Sequence, residues 1–313
     1  MRFIFLILLT LSLNASDILT LYRNNGIAEI EKKMDIELTK TKYWENYLKD
    51  KDTRFGFMES YLNVLTCNKN NSTLNLYRLN AQNKYKLQKE YGAFTGKLKG
   101  DKIKEGDLKT PIGVYHLIKK LEKVDSFYGP MAFVTSYPNT YDKYRGKGGH
   151  GIWIHGLPTE QERDEFTKGC IAINNSNIEC LAKNIDISKT ILIINSKKVK
   201  QEISKEKLTT ILSHLYIWRY AWKYNDFKSY ISFYDTDFIR VDGLNYKKRV
   251  FNKTEKRTII FTNINIIPYP NTDNIYQITF NEHYKSDTFE FNGNKILIIK
   301  LTEDNYIKIL TEK

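Results

Sequence analysis

The spacing of apolar residues changes along the chain, and each change predicts a different kind of element. From residue 17 to about 60 they recur at intervals of three and four. Ile27, Ile30, Met34 and Leu38 have charges between them, and Trp44, Tyr47 and Leu48 continue the face. That is the helical period, and it predicts a helical arm over 16–60, which fits either a dimerisation element or a brace. From about residue 61 the pattern becomes strand-like. Tyr61–Cys67 leans to β, Asn68–Ser72 is a turn cluster, Thr73–Leu79 alternates, and Lys84–Phe94 reads as a further strand. Thr110-Pro111-Ile112-Gly113 is a turn feeding Val114–Ile118. A strand over Gly151–His155, a polar segment Pro158–Phe166, a helix Asn177–Ile185 and a buried strand Thr190–Ile194 complete a β-rich domain over 61–196.

Residues 195–200 are a polar boundary. Beyond them Ser204 reads as the N-cap of a helix to about Lys223, with Leu208, Ile211, Leu212, Leu215, Trp218 and Trp222 as its apolar face. Asp226 begins a short helix, 227–234. Strands are predicted over 257–267, 275–284, 287–291, 295–301 and 306–310, with Asn292-Gly293-Asn294 as a hairpin turn. Helices followed by a curling antiparallel sheet over 200–313 make this part α+β, as is the chain overall. There is no internal repeat.

The N-terminus has its own pattern. Arg2 precedes the apolar run Phe3–Leu13, and Asn14-Ala15-Ser16 supplies small residues at a cut site. This describes a secretory signal peptide over 1–15, cleaved after Ala15. The run is shorter than the roughly 20 apolar residues of a transmembrane helix, and no other stretch is long and apolar enough. Composition changes the picture only modestly. The formal charge is +13 (49 Lys and Arg against 36 Asp and Glu), and it becomes +12 when Arg2 leaves with the segment. An exported basic protein meets an anionic envelope polymer or lipid surface rather than nucleic acid. Solubility, or an AT-rich genome, would explain the lysines equally well.

Candidate chemistry is concentrated in His150-Gly-Ile-Trp-Ile-His155-Gly156 and Thr167-Lys-Gly-Cys-Ile-Ala-Ile-Asn174. A cysteine after a glycine on a tight turn can present its sulfur at a surface with its backbone N–H free. A histidine at a strand end fifteen residues earlier can fold back beside it. An imidazole that takes the thiol proton leaves the thiolate, the reactive form. Cys67, Cys170 and Cys180 are odd in number, so at least one thiol is free in a monomer. Cys180, beside Ile178 and Leu181 in a predicted helix, and Cys67 read as small buried hydrophobes. No Cys-x-x-Cys pair exists and the histidines are scattered, so neither a metal nor a cofactor is expected.

His155-Gly156 followed by Thr167-x-Gly169-Cys170-Ile171-x-Ile173-Asn174 resembles the signature of the L,D-transpeptidase catalytic domain, the YkuD family. Gly106-Asp-Leu-Lys-Thr110-Pro111-x-Gly113 is similar to that family's turn-and-strand segment, and together they cover roughly 61–195. The C-terminal part, with Trp218-x-x-Ala221-Trp222, Asp226-x-x-x-Tyr230, Phe233-Tyr234 and Tyr306-Ile-Lys-Ile309, resembles NTF2-like domains, whose cone often binds a small ligand or a partner. The layout is similar to the periplasmic peptidoglycan L,D-carboxypeptidases of helical and curved bacteria, which trim tetrapeptide stems to tripeptides. The resemblance implies Cys170 as nucleophile, His155 as base and Gly156 as the carbonyl that orients the imidazole. It also implies a periplasmic location and tetrapeptide stems as partners.

Two positions depart from the family pattern. Lys168 stands where many members have His, and Ala172 where many have Arg. Loss of that guanidinium changes how carboxylates are held and resembles the hydrolytic members more than the cross-linking ones. Backbone N–H groups of Gly169 and Cys170 are the expected oxyanion donors. His150, Lys109, Lys168, Trp153 and Ala172 are candidates for substrate contact, although Trp153 also fits a core position and the lysines a solvated surface. His116, His214 and His283 read as structural. The competing readings are an L,D-transpeptidase, a hydrolase that detaches protein from peptidoglycan, and a non-catalytic wall-binding scaffold.

Overall fold

The computed structural model describes residues 15–160, 165–196, 203–238, 247, 248, 251 and 256–313. The expected signal peptide, but for its last residue, lies outside the described residues, as do 161–164 of the polar segment.

The arm is two helices rather than one, and it ends sooner than its apolar spacing predicts. α1 spans Ala15–Leu38, with a break at Gly26, and α2 spans Thr41–Leu48. Trp44 and Leu48, one turn apart, are buried, and the Trp44 indole donates to Leu38 O at 2.7 Å. Ile27, placed on the apolar face by its spacing, is instead exposed. After α2 the chain extends into β1, Phe57–Met58.

Eight strands then close a barrel: β2 (Asn63–Asn68), β3 (Thr73–Leu79), β4 (Tyr85–Phe94), β5 (Gly113–Leu121), β6 (Ala132–Thr135), β7 (Trp153–His155), β8 (Ile171–Ile173) and β9 (Thr190–Asn195). Their order is β2-β3-β4-β8-β7-β6-β5-β9, and parallel pairing of β2 with β9 completes the ring. Two short helices pack on it, α3 (Thr140–Tyr144) and α4 (Asn175–Asn184). Every residue of β9 is buried, because its two faces enter different cores. Leu192 and Ile194 join Leu65, Tyr115 and Ile154 inside the barrel. Ile191 and Ile193 pack with Ile267, Tyr269, Ile298 and Leu310 of the C-terminal half. A strand buried on both sides reads as a continuous apolar run, as Thr190–Ile194 does.

The C-terminal half begins with α5 (Lys205–Lys223) and α6 (Phe227–Ser232). Their apolar faces pack on a sheet ordered β1-β10-β11-β12-β13, where β10 is Thr258–Pro268, β11 Ile275–Lys285, β12 Glu290–Leu301 and β13 Ile307–Glu312. The predicted hairpin at Asn292-Gly293-Asn294 is corrected. These residues lie within the single strand β12, opposite His283, Glu282 and Asn281. The chain reverses instead at Ser286–Phe289, closed by Ser286 N–H to Phe289 O at 2.8 Å. Gly293 is accommodated mid-strand because the Phe291 ring occupies the space a Cβ would take, and Asn281 donates across to Asn294 at 2.7 Å. Tyr269, at the C-terminal end of β10, ties the halves together. Asn139 donates to its hydroxyl at 3.0 Å, and its ring packs edge-on against Tyr141.

Candidate active site

Strands β7 and β8 run parallel at one place on the barrel, with Ile154 opposite Ile171 and His155 opposite Ala172. One residue earlier the same register sets Trp153 beside Cys170. Residues alternate faces along a strand, so His155 and Cys170 share a face as diagonal neighbours. The strand register thus brings the two motifs to one face of the barrel.

The turn into β8 is held by one hydroxyl. Thr167 Oγ1 accepts from Gly169 N–H at 2.9 Å and donates to Cys170 O at 2.7 Å. Gly169 has φ +142°, and a Cβ there would stand 2.9 Å from Lys109 O, so both conformation and space require glycine. The arrangement corrects one expectation: the Gly169 N–H is already engaged by Thr167 and is not aimed at an oxyanion.

Cys170 is half-buried, and among the described residues no disulfide joins it to Cys67 or Cys180. Its Sγ accepts from Trp153 N–H and donates toward Gly151 O, both at 3.4 Å. The carbonyl favours the protonated thiol. The N–H favours the thiolate that replaces it once a base removes the proton. Cys67 differs: it is wholly buried, and burial pushes its thiol up to about 12, which makes it inert. Cys180, expected to be buried, is only half-buried and faces Tyr91.

His155 is 1% exposed, and its Nδ1 lies 2.6 Å from Gly156 O. A carbonyl only accepts, so Nδ1 carries the proton and the neutral ring keeps its lone pair on Nε2. This is the tautomer a general base needs. The Tyr128 ring stands edge-on to His155 at 5.1 Å and tilted against Trp153 at 5.0 Å. Burial, with a contribution from the Cys170 charge, raises its phenol above the usual range. Tyr128 thus adjoins both His155 and Trp153. Sequence reasoning missed it, and its one signal was the Gly129-Pro130 turn that follows.

The substrate-contact candidates separate. Lys168 is exposed beside the turn. Lys109 gives its backbone carbonyl to the Gly169 contact, while its ammonium lies over Gly100. His150 is 79% exposed, with Nδ1 3.6 Å from Glu105. Trp153 is half-buried against Tyr128. Ala172 is corrected: it is fully buried between Phe94 and His155 and has no surface to offer a substrate. Of the other histidines, His116 bonds to the Tyr61 hydroxyl at 3.0 Å, and burial lowers its pKa. Among the described residues no cluster of three or more His, Cys, Asp or Glu could hold a metal, and no helix is long and apolar enough to cross a membrane.

A strand-end histidine held by the carbonyl that follows it and a cysteine on a stapled glycine turn thus share one face of the β-barrel. The chain belongs to the L,D-transpeptidase catalytic domain (YkuD) family. That family's model matches residues 63–194, and the Cds6 C-terminal NTF2-like domain matches 210–313. The solved structure of Pgp2 from Campylobacter jejuni, described as a helical cell shape determining protein, is similar at 37% identity and a TM-score of 0.79, covering 88% of this chain and 99% of that one. Bd1075 of Bdellovibrio bacteriovorus is similar at 27% identity and 0.65, covering 84% and 96%. YafK of Escherichia coli, a candidate L,D-transpeptidase, is 34% identical over 113 residues, which are 36% of this chain and 42% of YafK. The match thus spans less than half the length of that curated relative.

Proposed function

We propose that the protein is a cysteine-dependent peptidoglycan L,D-carboxypeptidase of the periplasm, contributing to helical cell shape. On this reading 1–15 is a cleaved export signal, 16–60 an arm, 61–196 the catalytic domain and 200–313 an NTF2-like domain that takes a ligand or partner. The observation that carries it is the paired geometry of Cys170 on its stapled turn and His155 with Nδ1 committed to Gly156 O.

His155 Nε2 takes the Cys170 proton. The thiolate, held by Trp153 N–H, attacks the carbonyl that joins the third stem residue to the terminal D-Ala. The Cys170 N–H meets the developing oxyanion; one such donor is typically worth about 10²–10³ in rate. Collapse expels the D-Ala amine, which takes the proton from His155, and leaves a thioester. Water, deprotonated by His155, cleaves it to the tripeptide carboxylate and restores the thiol. An amine in place of water would make the same site a transpeptidase. The fully buried Ala172, where many members have Arg, leaves no guanidinium to hold such an acceptor's carboxylates, which favours water.

The test is mass spectrometry of disaccharide-tetrapeptide incubated with wild type and Cys170→Ala. Released D-Ala and tripeptide from wild type alone is the expected result. Cross-linked dimer would make it a transpeptidase. Trimming by the Cys170→Ala protein would overturn the mechanism.

A further inference from the structure

Gly156 orients His155, and the structure holds Gly156 in turn. The Gly156 carbonyl and the Leu157 N–H belong to one planar trans peptide and point in opposite directions. The carbonyl accepts from His155 Nδ1 at 2.6 Å, and the N–H donates to Asn175 Oδ1 at 2.7 Å. The donor here is an N–H, so the facing atom of the amide is its oxygen. One side chain therefore fixes the tilt of the peptide plane that fixes the imidazole.

The same oxygen accounts for two glycines. A Cβ on Gly156 would fall 2.4 Å from Asn175 Oδ1, and one on Gly129 would fall 2.6 Å from it. The 129 and 156 segments can close around the amide only without side chains. The Gly156 N–H donates to Tyr128 O at 2.9 Å, so the peptides on both sides of Gly156 are held. Asn175 is the first residue of α4, which is anchored by the fully buried Ile178 and Leu181. The clamp thus stands on a rigid element and joins α4 to the β7 end.

We propose that Asn175 is a positioning residue for the reaction. Through the Gly156–Leu157 peptide it sets the tautomer and aim of His155, and with them the readiness of Cys170 to ionise. The proposal rests on the carboxypeptidase reading for its activity arm only. Misaiming a catalytic group by about 1 Å costs on the order of 10² in rate. Asn175→Ala should therefore lower kcat on disaccharide-tetrapeptide by about that factor with KM within about threefold. Asn175→Asp, which keeps an acceptor oxygen, should recover most of the loss.

The arm that needs no substrate is the pH profile of Cys170 alkylation by iodoacetamide, followed by peptide mass spectrometry on the full chain, with circular dichroism and thermal unfolding to verify folding. Wild type should show a low-pH reactive limb that is lost in His155→Ala. In folded Asn175→Ala that limb should move toward ordinary thiol behaviour, and Asn175→Asp should restore it. Trimming and alkylation profiles that match wild type in folded Asn175→Ala would overturn the proposal. So would an equal loss in the Asp variant. If wild type trims nothing but the alkylation limb follows His155 and Asn175, the positioning role stands and the substrate reading fails.

Discussion

Around Cys170 and His155 the polar contacts are made mostly by main chain: Gly151 O, Trp153 N–H, Gly156 O, Leu157 N–H and Cys170 O, with Thr167 and Asn175 the side chains that engage them. In the C-terminal half the buried polarity is carried by side chains far apart in sequence. Lys247 pairs with Glu312, Glu312 accepts from the Tyr234 hydroxyl at 3.0 Å, and Lys295 stands 3.9 Å away. Lys247 also donates to Tyr230 at 3.1 Å, and Tyr230 meets Tyr234 at 2.8 Å. Main-chain contacts cost little to satisfy and fix geometry closely, which suits a reacting centre. Buried side-chain ions are costly to desolvate, and they remain only where each finds its partner. The first arrangement is built to aim groups, the second to hold a charged interior.

The sharpest way to break that comparison is to remove a charge. Burial pushes the Glu312 carboxyl up, but the charges of Lys247 and Lys295 outweigh it and hold it below the usual range. Glu312→Ala would remove the carboxylate that Lys247, Lys295 and the Tyr234 hydroxyl face. Loss of one partner of a buried pair costs about 3–5 kcal/mol, to be read from the urea midpoint. Stem trimming at fixed folded fraction should be nearly unchanged, because Glu312 lies on β13 of the C-terminal sheet and Cys170 beside β8 of the barrel. A stability change below about 1 kcal/mol would mean that water already solvates these charges. Collapse of trimming in the folded variant would mean that the two halves act as one unit.

This division also explains what the sequence could disclose. The His155-Gly156 and Thr167–Asn174 motifs were readable because the chemistry lies in two short segments whose glycines mark close backbone approach. The helical face of α5 and the strands β10 and β11 were readable from period alone. Asn175 and Tyr128 were not, since each acts on the site through backbone or ring contacts that no spacing encodes. Asn292-Gly293-Asn294 is a strong local hairpin signal, but it is overridden by pairing with β11 across all three residues, a contact between strands that local spacing does not encode. The Lys247–Glu312 pair joins positions 65 residues apart and left no local trace.

The arm sharpens the comparison at a smaller scale. Asp35 of α1 accepts from Arg219 at 2.9 Å, Lys223 at 2.6 Å and Tyr224 at 2.9 Å, all from α5 and its C-terminal end. Burial pushes its carboxyl up, but the Lys223 hydrogen bond and the Arg219 charge and hydrogen bond outweigh it, so it titrates below its ordinary value of 3.8. A carboxyl lowered on folding stabilises fully above its unfolded pKa, and that stability is lost as the pH falls through the folded value. Asp35→Asn should cost about 2 kcal/mol at neutral pH, in the range of hydrogen bonds to charged groups. The difference from wild type in thermal unfolding should shrink below about pH 4. A difference that stays constant down to pH 2 would assign the contact to packing rather than charge.

The smallest effect lies at the edge of the site, where side-chain charge is exposed. His150 Nδ1 and Glu105 are 3.6 Å apart, and both are largely exposed, so the pair adds little to stability. Gly149 beside it packs against Glu105 at φ +89°, which fixes the loop through backbone rather than through the imidazole. His150→Ala should therefore leave the unfolding midpoint unchanged. If the imidazole meets the stem peptide, KM for disaccharide-tetrapeptide should rise about threefold while kcat holds, the signature of an interaction made equally in ground and transition states. An unchanged KM would remove His150 from the substrate surface and leave Lys168, exposed two residues before Cys170, as a candidate for the stem carboxylates. A fall in kcat instead would place the loop among the groups that aim the reaction, and would extend the main-chain logic of the barrel site to its rim.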